Sequence, residues 1–256
     1  MSEAINELFF DDEPAIQVEQ AAAKSIIQPV SITAYERIMD RIKRSEQFLG
    51  FDPTTVEQGS DDWFAMRLGV ATASKAKEYV AKVGSATRNT YLCQLVAEVA
   101  TGMPAEQVSA KTMEWGKAHE DEARNAFVFV TGMGVNTVPF VYSERDGEIV
   151  RHFGCSPDGI TEDGGGLEIK CPFNSSNHID FIINKKIKDD YIWQVQFSLW
   201  VTGLPHWYFG SYDPRMKAKM IDFVKVEPIA EYQKKLDAAA PMWLSDLNEY
   251  IKEVMG

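Results

Sequence analysis

Apolar residues recur at helical spacing in the first and last parts of the chain and cluster or alternate as strands do in between, so the pattern predicts a mixed helix and strand protein. Residues 34–49 read as an amphipathic helix with Tyr35, Ile38, Ile42 and Phe48 as its apolar positions, whereas residues 1 to about 30 carry no sustained period. Ser60-Asp61-Asp62 offers a helix cap ahead of Trp63, Phe64, Met66 and Leu68. Helices are then expected over 72–82, 88–100 and 105–131, with Gly102 and Pro104 breaking between the last two. Runs at 138–142, 149–153, 158–160 and 167–171 read as strands of one meander. Helices at 177–184 and 191–201, strands at 207–212 and 219–226, and a closing helix at 229–254 complete the pattern. The order α, β, α, β, α predicts an α/β fold, a central sheet covered by helices, with residues 1–50 as an acidic N-terminal extension and 51–256 as the main domain.

Composition narrows this picture. A chain of 256 residues with 45% hydrophobic content is long enough to bury one substantial core. No apolar run reaches the roughly 18 residues that span a bilayer, and the beginning of the sequence lacks a basic stretch followed by an apolar one, so a cytoplasmic protein is expected. Cys93, Cys155 and Cys171 form no Cys-x-x-Cys pair and are too few for an iron–sulfur cluster with four thiolate ligands, so reduced thiols are expected. A net charge of −12 argues against a surface coated in phosphate contacts but leaves room for a local basic channel. Part of the acidity is segregated, since Glu3, Glu7, Asp11, Asp12, Glu13 and Glu19 all precede the first basic residue, Lys24.

The strongest chemical signal is Ser156-Pro157-Asp158-Gly159-Ile160 followed by Leu167-Glu168-Ile169-Lys170. Asp163-Gly164-Gly165-Gly166 between them suits a tight turn, so the two runs are expected to pair as antiparallel strands with Asp158 beside Glu168. Alternation puts Glu168 and Lys170 on one face and Ile169 on the other. Two hard oxygen ligands suit Mg²⁺, which keeps waters and recruits phosphate oxygens, and the lysine would position or deprotonate an attacking water. The competing reading is an acidic surface hairpin. Glu120, in Trp115-Gly116-Lys117-Ala118-His119-Glu120, is a third carboxylate or else a surface partner of Arg124 one turn later. Gln194 and Gln196 point in nearly opposite directions from a helix whose apolar face is Trp193, Phe197 and Trp200, so at most one is expected to face a polar site. Arg67, with the hydroxyls of the following Thr72-Ala73-Ser74, reads either as an anion site or as an ordinary cap pairing with Asp61 or Asp62.

Taken together, the segments 57–74, 95–102, 115–124, 156–173, 194–202 and 207–217 resemble the phage lambda exonuclease family over about residues 56–250. The resemblance implies a PD-(D/E)XK nuclease-like central mixed β-sheet flanked by helices, acting as a 5′-to-3′ exonuclease on linear duplex DNA from 5′-phosphorylated ends. It implies Asp158 and Glu168 as metal ligands, the Ile169 carbonyl as a further ligand, Glu120 in support, Lys170 as the catalytic lysine and Gln194 as an organiser of the site. Mg²⁺ is the implied cofactor, with Mn²⁺ as a substitute. Arg67, Ser74 and Ser156 match the pocket for the terminal 5′-phosphate, and Met113 falls where the family places a strand-separating wedge. The family's DNA-tracking arginine aligns with Gly84, so either Lys82 or Arg88 replaces it or the contact is missing. A homotrimeric ring, a phage-encoded single-strand annealing partner and a bacterial host cytoplasm are implied as well, with Lys185, Lys186 and Lys188 as channel-lining residues or else a solvated loop. Two rival readings share these residues: a PD-(D/E)XK endonuclease, which would cut closed circles, and a non-catalytic module that binds DNA ends or a partner.

Overall fold

The structure is a computed structural model that describes residues 32–105 and 111–256, the side chains of 111–113 excepted. Helix α1 (Ala34–Arg44) starts at a capping box in which the Thr33 hydroxyl accepts from the Glu36 amide and the Glu36 carboxylate accepts from the Thr33 amide. Short α2 (Glu46–Leu49) follows, then α3 (Asp61–Arg67), whose cap is the Ser60 hydroxyl. Ile38 and Ile42 of α1 lie in the main hydrophobic core, so a helix that the sequence places ahead of the domain is packed into it.

Residues 72–82 do not form the expected helix. Ala71–Thr72 is strand β1, followed by a 3₁₀ turn and the single-turn helix α4 (Ala76–Tyr79). Burial explains the difference: Ala71 and Thr72 pair in parallel with Phe153 and Gly154, and this ladder overrides the local helical spacing. Two long helices come next, α5 (Ala86–Thr101) and α6 (Lys111–Thr131).

The expected meander divides between two sheets. Strands β3 (Val141–Arg145) and β4 (Glu148–Cys155) join β1 in a three-stranded sheet, while β5 (Gly159–Thr161) and β6 (Gly166–Lys170) belong to a five-stranded one that also contains β2 (Val135–Asn136). Ser156-Pro157 makes the break, because proline brings no amide hydrogen to a ladder. Helices α7 (Ser175–Asn184) and α8 (Asp189–Thr202) cross to β7 (Trp207–Tyr212) and β8 (Ile221–Val226), and α9 (Ala230–Met255) closes the chain. The larger sheet has the order β2-β5-β6-β7-β8, with β6 antiparallel to β5 and parallel to β7.

Alternation along β6 sets its two faces. Leu167 and Ile169 pack with Ala123 and Phe127 of α6, so Glu168 and Lys170 face the other way, toward α8. The turn ahead of β6 needs its glycines for separate reasons. Gly164 takes φ +87°, whereas a Cβ on Gly166 would lie 2.3 Å from the Trp207 ring.

Candidate active site

Asp158 sits just before β5 and is fixed at both ends: its amide donates to the Leu167 carbonyl at 3.0 Å, and its Oδ2 accepts from the Ile169 amide at 2.6 Å. Glu168 is 4% exposed, and its Oε1 accepts from both Lys170 Nζ and, at 2.8 Å, Gln194 Nε2. The Lys170 ammonium also lies 5.0 Å from the centre of the Tyr191 ring. Gln194 therefore enters the site from α8, and Gln196 turns away to donate to the Glu227 carbonyl and accept from the Ile229 amide.

Glu120 lies on the cleft wall and also has the expected pair with Arg124. It pairs with Arg124 at 3.2 Å, and Arg124 in turn donates from Nε to the Asp158 carbonyl at 2.8 Å, so the pair belongs to the site rather than to open surface. Glu120, Asp158, Glu168 and Lys170 line one cleft of about 530 Å³, with Lys186 and Lys188 also on its wall. Burial and the neighbouring carboxylates Glu168 and Glu120 hold the Asp158 pKa well above the ordinary range. Glu120 is raised for the same reasons, burial first and then Glu168, against the opposing pull of Arg124. Burial disfavours the Lys170 ammonium, but Glu168 and Asp158 outweigh it and its pKa is raised. The lowered lysine pKa that base catalysis would need is thus not what these surroundings give.

Among the described residues, no three carboxylate, imidazole or thiolate groups converge as a ready-made metal cage. The donor set nonetheless fits a hard divalent cation, because Asp158 and Glu168 share one cleft with Glu120, and burial, then the neighbouring carboxylates, raises the pKa of Asp158 and Glu120.

A second cavity, of about 390 Å³, is lined by Arg67, Thr72, Ser74, Lys75 and Gln94. Arg67 donates to Ser156 Oγ at 3.0 Å and lies 4.1 Å above the Trp63 ring, and it has no carboxylate partner among the described residues. Asp61 and Asp62 do not pair with it. Glu98 also lines this cavity, but its two oxygens accept from the Gly69 and Ala105 amides. Burial lowers the Arg67 pKa, which marks a desolvated cation in need of an anion. Ser74 is exposed at the cavity, with Thr72 Oγ1 3.4 Å away.

Burial separates the two candidates for the tracking contact. Arg88 is 3% exposed, is paired with Asp246 and lies 5.0 Å from the Trp243 ring, so it is a core residue and not a stand-in for the tracking arginine. Lys82 is exposed beside Gly84, which takes φ +75°. Met113 lies in the first turn of α6, and its side chain is outside the described residues. Lys185 pairs with Asp222 and Lys188 donates to Asn177, which leaves Lys186 as the cleft-lining lysine with the freest head group.

Sequence reasoning missed three contacts that hold the site together. Gln58 ties the Val138 and Pro157 carbonyls at 2.8 and 2.9 Å, Arg124 braces Asp158, and Tyr191 backs Lys170. Their partners are backbone atoms or ring faces, which leave no trace in residue spacing.

The chain matches the model of the YqaJ-like viral recombinase domain over residues 62–205. It is 30% identical to an alkaline exonuclease, LHK-Exo from Laribacter hongkongensis, whose crystal structure aligns with a TM-score of 0.68 over 77% of this chain and 96% of that one. The same enzyme solved in complex with dAMP aligns equally well, with a TM-score of 0.68, 31% identity and coverage of 76% and 96%. A stretch of 68 residues is 38% identical to ExoD of Escherichia coli (strain K12), covering 27% of this chain and 78% of that protein. The chain belongs to the YqaJ-like viral recombinase family and is a phage lambda exonuclease-type member with a PD-(D/E)XK fold.

Proposed function

We propose that this recombination nuclease is a divalent-metal-dependent 5′-to-3′ exonuclease that degrades one strand of linear duplex DNA from 5′-phosphorylated ends to mononucleotides, leaving 3′ overhangs. The observation that carries the reading is the meeting of Asp158, Glu168 and Lys170 in one cleft whose wall also bears Lys186 and Lys188, with Gln194 hydrogen-bonded to Glu168 behind it. The solved relative is named an alkaline exonuclease and has been seen with dAMP, which accords with release of mononucleotides.

Asp158, Glu168 and the Ile169 carbonyl, with Glu120 in support, would hold Mg²⁺, or Mn²⁺ in its place. The metal, when bound, supplies an activated water near neutral pH and offsets charge on the scissile phosphate. The protein's own residues do the rest. Lys170 is a fixed ammonium held by Glu168 and Tyr191, suited to orienting the attacking water and to neutralising phosphate charge. Gln194 holds the Glu168 carboxylate in one rotamer, and Arg124 holds the Asp158 backbone. Arg67, Ser156 and Ser74 select the end, because a desolvated guanidinium without a carboxylate partner gains most from the dianion of a terminal phosphate. Met113 is proposed as the strand wedge.

By the family resemblance we extend the proposal to a homotrimeric ring working with a single-strand annealing protein in a bacterial host. A ring lets positive potential line a channel while the outer face stays acidic, which reconciles a net charge of −12 with DNA binding. The test of the catalytic reading is digestion of linear and covalently closed duplex by the wild type and Glu168→Gln, with Mg²⁺ or with chelator. Metal-dependent loss of the linear form alone, absent in the variant, is expected. Cutting of the circle would replace the exonuclease with an endonuclease.

A further inference from the structure

The catalytic cleft carries an aromatic array that phosphate chemistry leaves unused. Phe173 lines the cleft and is 48% exposed, so an aromatic ring is open to whatever enters beside Asp158, Glu168 and Lys170. It is not loose. The Trp115 ring meets it edge to face at 5.9 Å and 88°, Trp115 lies 3.9 Å from the His119 ring, and the Arg215 guanidinium lies 4.5 Å from the Trp115 ring centre. Arg215 is anchored on the fully buried Asp213 and donates to the carbonyl of Pro172, the residue next to Phe173. The end of β7 thus fixes the segment that leaves Lys170.

A second observation concerns the helix beside this array. Gly116 lies inside α6 on the cleft wall, where glycine costs about 1 kcal/mol relative to alanine. A Cβ there would meet nothing within 4 Å, so no protein packing requires the glycine, and the space next to Trp115 is open.

We infer that Phe173 is a base-stacking residue: its exposed ring receives the face of the nucleobase on the nucleotide being removed, while Trp115, His119 and Arg215 hold the ring in place. This deepens the nuclease reading and rests on it. The chemistry suits an enzyme that must accept every base, because each base has a π face and stacking on an aromatic side chain tolerates any sequence. Lys186 and Lys188 on the same wall would take the phosphates while the ring takes the base, and a base fixed on both sides limits how far the scissile phosphate swings from Asp158 and Glu168.

The experiment compares single-turnover removal of a 5′-phosphorylated thymidine with that of 5,6-dihydrothymidine, whose ring keeps its hydrogen-bonding edge but is not planar. Stacking on a protein aromatic is worth about 1–3 kcal/mol per base, so the wild type is expected to remove the non-planar residue roughly 5- to 150-fold more slowly. The weaker pairing of that residue would, if anything, favour its release. Phe173→Ala and Phe173→Leu should slow thymidine removal by a similar factor and discriminate no longer, and Phe173→Trp should restore discrimination, with melting temperatures near wild type throughout. Discrimination that survives in Phe173→Ala, or is absent from the wild type, overturns the stacking role while leaving the nuclease intact. A wild type that removes neither residue overturns the nuclease reading and the stacking role with it.

Discussion

Lys170 is the residue on which chemistry and environment press hardest against each other. Glu168 and Asp158 raise its pKa against the effect of burial, which favours the ammonium and a proposed contribution through charge and orientation. Lys170→Ala should lower the single-turnover cleavage rate by on the order of 10²-fold or more while leaving duplex binding within a few-fold. A rate near wild type would remove Lys170 from the mechanism. Arg67→Ala should reduce the preference for phosphorylated over hydroxyl 5′ ends without abolishing cleavage, read as a ratio of initial rates on the two ends. The convergence of Asp158, Glu168 and Lys170 was legible in the sequence because strand alternation alone puts Glu168 and Lys170 on one face and a glycine turn returns Asp158 to them. Arg124 was not, because its decisive contact is with the backbone of Asp158, and spacing reveals only its partner one helical turn away.

At the scale of elements, the hairpin β5–β6 and the end of β7 decide whether the site exists. Gly166→Ala would drive a methyl into Trp207, so a fall in stability of about 1–3 kcal/mol is expected in chemical denaturation, with activity falling in parallel. The buried Asp213 carboxyl is held down at about 2, chiefly by its hydrogen bonds from Arg215. A folded pKa below the unfolded value of about 3.9 means stability that is present above pH 4 and lost as pH falls from about 4 to about 2. Asp213→Asn should therefore lower the melting temperature at neutral pH and flatten its acid limb. A melting profile that still falls as steeply between pH 4 and 2 would show that Asp213 is not the group responsible. The helices α5 to α9 followed from apolar spacing, but the split of the strands into two sheets did not, because residues 138–171 alternate alike whichever partner they pair with. Only the missing amide of Pro157, read as a sheet boundary, would have signalled it.

At the scale of the molecule, helix α1 belongs to the main core through Ile38 and Ile42, while residues 1–31 lie outside the described residues. Removing residues 1–31 should leave melting temperature and nuclease rate near wild type, whereas removing 1–44 should destabilise the protein severely, since each buried isoleucine is worth about 2–5 kcal/mol. If the shorter truncation alone abolishes partner binding, the acidic segment is the docking element. The measurement that bears most directly on the whole account uses a linear duplex with a phosphate on the 5′ end of one strand only and a separate label on each strand. The account predicts that the wild type with Mg²⁺ degrades only the phosphorylated strand, from its 5′ end and to mononucleotides, and that Glu168→Gln degrades neither. Degradation from 3′ ends, equal loss of both strands, or undiminished activity in Glu168→Gln would contradict it.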